Sequence, residues 1–218
     1  MRNIKSFVRR QGRFSVAKKQ AMENDLLIWG IVYRPFYLHL IDVFKREAPC
    51  ILEIGFGMGL ASADIAIHHP QYDYLCVEVH SPGVASLLKL IAQHEIRNIR
   101  IIHHDAVPVV EHMLPNEVLA GIHLFFPDPW PKKRHQKRRL IQKPFVELLV
   151  DKLKVGGYIY CATDWVDYAE HIKAVLSAFP MLMPLDQDAN IFYRPTTKFE
   201  QRGCKLGHQI TNIIFVKR

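Results

Sequence analysis

An aspartate held between two prolines, then a tryptophan, then six Lys/Arg within eight residues: Phe125 to Arg139 reads F-F-P-D-P-W-P-K-K-R-H-Q-K-R-R. Proline fixes its own φ and drives the residue before it towards extended geometry, so Asp128 belongs to a stiff turn. A stiff carboxylate beside an aromatic face and a dense positive patch suits a flat base carried on a phosphate backbone. The plainer alternative is a solvated charged loop behind a core strand. Trp130 either stacks on a base or belongs to the core, and its sequence context fits both.

Four further acids and a glycine run bear on the choice. L-E-I-G-F-G-M-G sets Glu53 two residues before Gly55, with Gly57 and Gly59 following. Glycines let a ligand approach the backbone closely. The spacing is G-x-G-x-G, and Leu60 stands where G-x-G-x-x-G would place its third glycine. A carboxylate in front of the loop would repel a pyrophosphate but could accept hydrogen bonds from an ammonium group. S-adenosylmethionine has such a group and NAD lacks one. Glu78 is placed for the two ribose hydroxyls and Asp105 for the adenine edge. With Asp164, these acids fall at corresponding ends of successive apolar runs. Acids gathered at one sheet edge are costly unless donors or cations bind there.

The elements that must position them alternate regularly. Strands are expected over Cys50–Gly55, Tyr74–Val79, Ile99–His103, Gly121–Phe126 and Tyr158–Ala162, with a final one over Gln209–Val216. Between them, Gly59 leads into a helix to about His68, and Ser81-Pro82 opens one with Val84, Leu87, Leu88 and Ile91 on one face. Pro144 starts a helix stopped by Gly156-Gly157, and Val166, Ala169, Ile172, Val175 and Leu176 mark another. A helix reaching Lys45 precedes the first strand. The fold class is therefore α/β, a doubly wound, mostly parallel sheet with helices on both faces. Such sheets bind ligands at the carboxyl ends of their strands, near the switch point.

The net charge of +8 is uneven. Residues 1–22 carry seven Lys/Arg and no acid, residues 129–146 do likewise, and the remainder is therefore at −6. Two basic patches on a slightly acidic body are the footprint of a polyanion partner. Residues 1–22 are read as a basic arm that orders only against a partner, and 23–218 as a single domain. Cys50, Cys76, Cys161 and Cys204 form no C-x-x-C pair, which points to reduced, buried thiols in a cytoplasmic protein. The histidines lack metal-site spacing, so no metal is expected. No run is long and apolar enough to span a membrane. The basic N-terminus has no apolar region behind it; a transit peptide is the alternative to an arm.

The strings LEIGFGMG (52–59), VEVHSPGV (77–84), FPDPWPKKRHQKRRL (126–140), ATDW (162–165) and TKFEQRG (197–203) resemble the bacterial tRNA (guanine-N7)-methyltransferases over nearly the whole chain. The PDPW-plus-basic and TKFE strings are long and specific; the glycine loop is not. The resemblance implies a class I methyltransferase fold and methylation of guanosine 46 in the tRNA variable loop. It implies that Glu53, Glu78, Asp105 and Asp128 contact S-adenosylmethionine, with the three loop glycines around it and Asp128 as the catalytic residue. Lys132, Asp164 and Thr197, Lys198, Phe199 and Glu200 would meet the guanosine. Arg134, His135, Gln136, Lys137, Arg138 and Arg139 would contact RNA. Taken without the resemblance, Glu200 is read first as the salt-bridge partner of Arg202, with acceptance from guanine donors as the alternative. Cys76 departs from the family, which often has glycine there. Monomer and homodimer are both open.

Guanine N7 has a free lone pair at neutral pH, so no base is needed to make the nucleophile. Catalysis is alignment plus a fixed negative group where positive charge grows on the purine. Methylation of a base amino group is the nearest rival, because a proline-flanked acid and aromatic after the fourth strand also serve that chemistry. An RNA chaperone without turnover and a dehydrogenase are the others; the intact acids oppose the first and the loop spacing opposes the second.

Overall fold

Five apolar runs become the parallel core of a seven-stranded sheet. The computed structural model describes residues 5–7, 16–185, 193–196, 200, 207 and 209–218. Its strands are β1 (Cys50–Ile54), β2 (Asp73–Val77), β3 (Ile99–Ile102), β4 (Leu119–Phe125), β5 (Leu153–Thr163), β6 (Leu182–Pro184) and β7 (Thr211–Lys217). They lie in the order β3-β2-β1-β4-β5-β7-β6. β7 runs antiparallel to both its neighbours, while β1 to β5 pair in parallel. The order turns back between β1 and β4, which makes the gap beyond their carboxyl ends the switch point.

Each face of the sheet is covered because each strand is apolar on both sides. On one face Leu52, Ile54, Leu75, Val77, Ile122, Leu124 and Ile159 pack against α5 (Ala106–Met113), α6 (Lys143–Lys152) and α7 (Val166–Ser177). The short α2 (Leu40–Phe44) adds Phe44 to that core. On the other, Ile51, Cys76, Ile99 and Ile101 meet α3 (Leu60–His68) and α4 (Ser81–His94), with Met22 from α1 (Val16–Trp29). No helix of the described residues is long and apolar enough to cross a membrane.

Several expectations change. The boundary after residue 22 falls inside α1, which runs from Val16 to Trp29. Lys5–Phe7 also lies against the chain itself, as the site below shows. α5 and β6 had no counterpart in the sequence reading. Gly156-Gly157 does not stop a helix: α6 ends at Lys152, and both glycines sit within β5 where its register to β4 shifts. Cys204, Thr197, Lys198 and Phe199 lie outside the described residues.

Candidate active site

The turn that carries Asp128 is built from two residues in an unfavourable conformation. Phe126 (φ 51°) and Trp130 (φ 43°) are left-handed, which for bulky side chains costs on the order of 1–3 kcal/mol each and persists only where neighbours over-determine it. Those neighbours are identifiable. Phe126 N–H donates to the Ala162 carbonyl of β5 (2.7 Å), Arg139 Nε donates to the Pro129 carbonyl (2.9 Å), and Trp130 Nε1 donates to the Ser6 carbonyl (2.9 Å). The Arg138 guanidinium lies 4.0 Å over the Trp130 ring and donates to the carbonyls of Lys5 and Phe7. With prolines on both sides of Asp128, the turn is fixed at every residue.

This turn forms one wall of a cavity of about 540 Å³ at the switch point. Gly55, Glu78, Asp105 and Asp128 all line it, with Ser6, Phe7 and Trp130 at the same wall as the turn. Gly55 has φ +78° and open space where a Cβ would project, so its backbone offers a close cradle for a ligand. The volume is in the ordinary range for a small-molecule pocket, roughly 300–1,000 Å³. Carboxylates at three points around an exposed glycine turn fit a nucleoside-bearing cation such as S-adenosylmethionine.

Glu78 has a second task. Its Oε2 accepts from Gly57 N–H (2.9 Å), and its Oε1 from the N–H groups of Val79 (2.6 Å) and His80 (3.0 Å). One carboxylate thus ties the glycine turn to the start of α4. That approach is close: a Cβ on Gly83 would stand 1.9 Å from the Gly57 carbonyl, so only glycine fits there. Sequence reasoning passed over Gly83; the S-P-G opening of the helix was the available signal. Asp105 also caps α5 by accepting from Val107 N–H (3.2 Å).

Glu53 stands apart from the cavity wall. It is buried between β1 and β2, and the Cys76 thiol donates towards its Oε2 (3.7 Å). Burial pushes its carboxyl up to about 7, against the hydrogen bond of Cys76, with the nearby Glu78 charge adding to the rise. Cys76, the departure from the family pattern, is thus a partner of Glu53, and its own thiol is raised well above the ordinary value, by burial first and by Glu53 next.

The basic run folds as a 3-10 helix over Lys133–Arg138, and it splits into two kinds of residue. Lys132, Lys133, Arg134 and Lys137 are exposed. Gln136 and Arg139 turn inward: Gln136 donates to Asp167 (3.3 Å), and Arg139, 4 % exposed, pairs with the same carboxylate and lies over the Tyr168 ring. Arg139, expected at the RNA, has its guanidinium turned inward, bracing the Asp128 turn against α7. Trp130 is half-buried with Arg138 on one face, and His135 meets it edge-on at 6.0 Å. Desolvation first, and the cations of Arg134 and Lys132 next, hold the His135 imidazole below its ordinary value.

Asp164 follows β5, whose end pairs with that of β4, so it stands beside the Asp128 turn but off the cavity wall. Glu200 is buried and accepts from both terminal nitrogens of Arg194 (2.6 and 2.8 Å); Arg202, its expected partner, lies outside the described residues. Arg194 was not singled out by sequence.

Residues 47–213 match the family model described as "Putative methyltransferase". Over its full length the chain is 55% identical to the tRNA (guanine-N(7)-)-methyltransferase of Nitrosospira multiformis, covering 96% of that protein. It is 53% identical to the enzyme of that name from Chromobacterium violaceum, covering 97% of it. Among solved structures, the precorrin-6y C5,15-methyltransferase of Geobacter metallireducens superposes with a TM-score of 0.54 at 11% identity, over 97% of this chain and 93% of that one. That likeness is one of fold.

Proposed function

The chain belongs to the tRNA (guanine-N7)-methyltransferase family, an S-adenosylmethionine-dependent group with a class I, Rossmann-like fold, and we propose that it methylates guanosine 46 of the tRNA variable loop with Asp128 as the catalytic residue. The observation carrying this reading is that a braced Asp128 and Glu78 line one cavity, beside an exposed basic helix. When bound, S-adenosylmethionine supplies an electrophilic methyl group on sulfur. Gly55 and Glu78 hold its nucleoside and amino-acid portions, Asp105 reaches the adenine edge, and Glu53 acts from beneath the glycine turn. Asp128 accepts from guanine N1 and N2 and lowers the cost of positive charge on the ring. Lys132, Asp164 and the Thr197–Glu200 stretch hold the guanosine from the other side. The reaction takes place in the cytoplasm.

Undermodified tRNA incubated with the protein and labelled S-adenosylmethionine is expected to yield 7-methylguanosine at one variable-loop position by nucleoside mass spectrometry. A methyl group on an exocyclic amine would overturn the reading.

The exposed cations Lys133, Arg134 and Lys137 are the phosphate contacts. Three such contacts, at about 0.7–0.9 each, give a log–log salt slope of about −2.4, or roughly a 30-fold loss of tRNA affinity between about 50 and 200 mM salt. Arg134→Ala should flatten that slope by about one contact's worth. Arg139→Ala should leave it unchanged and lower the melting midpoint instead. Filter binding across a salt series distinguishes them, and equal slopes for wild type and Arg134→Ala would remove Arg134 from the phosphate set.

A further inference from the structure

Arg194 carries more of the site than any motif around it indicates. Its guanidinium is buried, with 6% of the side chain exposed, and forks both oxygens of Glu200 at 2.6 and 2.8 Å. Burial alone would lower its pKa, but Glu200 and the Tyr160 hydroxyl together raise it, so the cation is permanent. The same guanidinium lies over two aromatic rings, Phe125 at 5.8 Å and Phe126 at 5.4 Å. Those rings are the last residue of β4 and the left-handed residue two before Asp128. The residue before it, Tyr193, is fastened separately, its hydroxyl donating to Asp64 of α3 (2.5 Å).

We propose that Arg194 is a positioning residue for methyl transfer, fixing Glu200 against the Phe125–Phe126 strand end so that the two acids, Glu200 and Asp128, keep one separation. The inference rests on the proposed function, in which Glu200 meets the guanosine. A planar fork is needed for this: it grips both carboxylate oxygens while stacking on rings, which a lysine ammonium does not do.

The test compares Arg194→Lys, Glu200→Gln and the double variant by S-adenosylmethionine affinity and by kcat and KM for tRNA. Arg194→Lys is expected to lower kcat/KM for tRNA at least about tenfold, the scale of a lost charge-assisted fork, while cofactor affinity stays within about twofold, since Arg194 is not on the cavity wall. Residues acting as one unit give losses that do not multiply, so the double variant should be no worse than the weaker single. Full activity in Arg194→Lys, multiplying losses, or cofactor affinity falling in step with kcat/KM would each overturn the proposal. A wild-type chain that binds the cofactor yet leaves guanine N7 unmethylated would remove the functional reading itself, and the positioning role with it.

Discussion

Replacing Asp128 by alanine is expected to slow methyl transfer to tRNA at least ~100-fold, the scale of one preorganised electrostatic contact in an active site. The same substitution should weaken S-adenosylmethionine binding by no more than about tenfold, because a single hydrogen-bonded contact is worth on the order of 1 kcal/mol. The separation of the two numbers is the informative part. Four braces hold the turn regardless of the side chain at 128: the two prolines, the Phe126–Ala162 hydrogen bond and the Arg139–Pro129 contact. Removing the carboxylate therefore leaves an intact cavity that has lost one of its three lining acids, with Glu78 and Asp105 still in place. Asparagine should not rescue the rate, since it offers one acceptor and one mismatched donor to the paired guanine donors, and it is neutral where positive charge grows. Single-turnover rates with saturating cofactor measure the first quantity and calorimetry the second. An alanine variant at wild-type rate would take Asp128 out of the mechanism.

That Asp128 sits in a stiff turn was legible because one proline precedes it and another follows it. The left-handed turn around it was not. Phe and Trp carry no preference for positive φ, so nothing in F-F-P-D-P-W announces that Phe126 and Trp130 adopt it. The sheet was legible where an apolar run met a turn signal, as at Cys50–Ile54 before its glycines or at Ser81-Pro82 opening α4. It failed at α5, a short helix holding Pro108 within an apolar stretch, and at Gly156-Gly157, where a register shift inside β5 looks the same as a helix stop. The basic run was read as uniformly facing RNA because charge alone does not reveal a face. In a 3-10 helix residues three apart share one side, so Gln136 and Arg139 both reach Asp167 while Arg134 and Lys137 point away. Glu200 was given Arg202, two residues on; the described partner, Arg194, comes from the other direction.

The protonation of Glu53 should leave a mark on stability that can be read without any ligand. Its carboxyl is raised from an ordinary 4.5 to about 7 in the folded chain, by burial above all. Between those two values the folded state holds a proton that the unfolded state has released, so stability falls as pH rises through this window and levels off above it. The 2.5-unit difference corresponds to about 3 kcal/mol at ~1.4 kcal/mol per unit. Glu53→Gln keeps the shape of the protonated side chain and can still accept from the Cys76 thiol, but it cannot ionise. At pH 5 the two proteins should therefore unfold at similar urea concentrations, and at pH 8 the glutamine variant should be the more stable by about 3 kcal/mol. The comparison cancels the other titrating groups common to both chains. The wild-type cofactor complex provides the reverse measurement: a cationic ligand above Glu53 favours its ionised form, so binding at pH 6 should release a proton, detectable as a dependence of calorimetric heat on buffer ionisation. The glutamine variant should lack that release. A stability difference between the two proteins that does not change from pH 5 to pH 8 would show that Glu53 is ionised throughout, its burial offset by the groups around it.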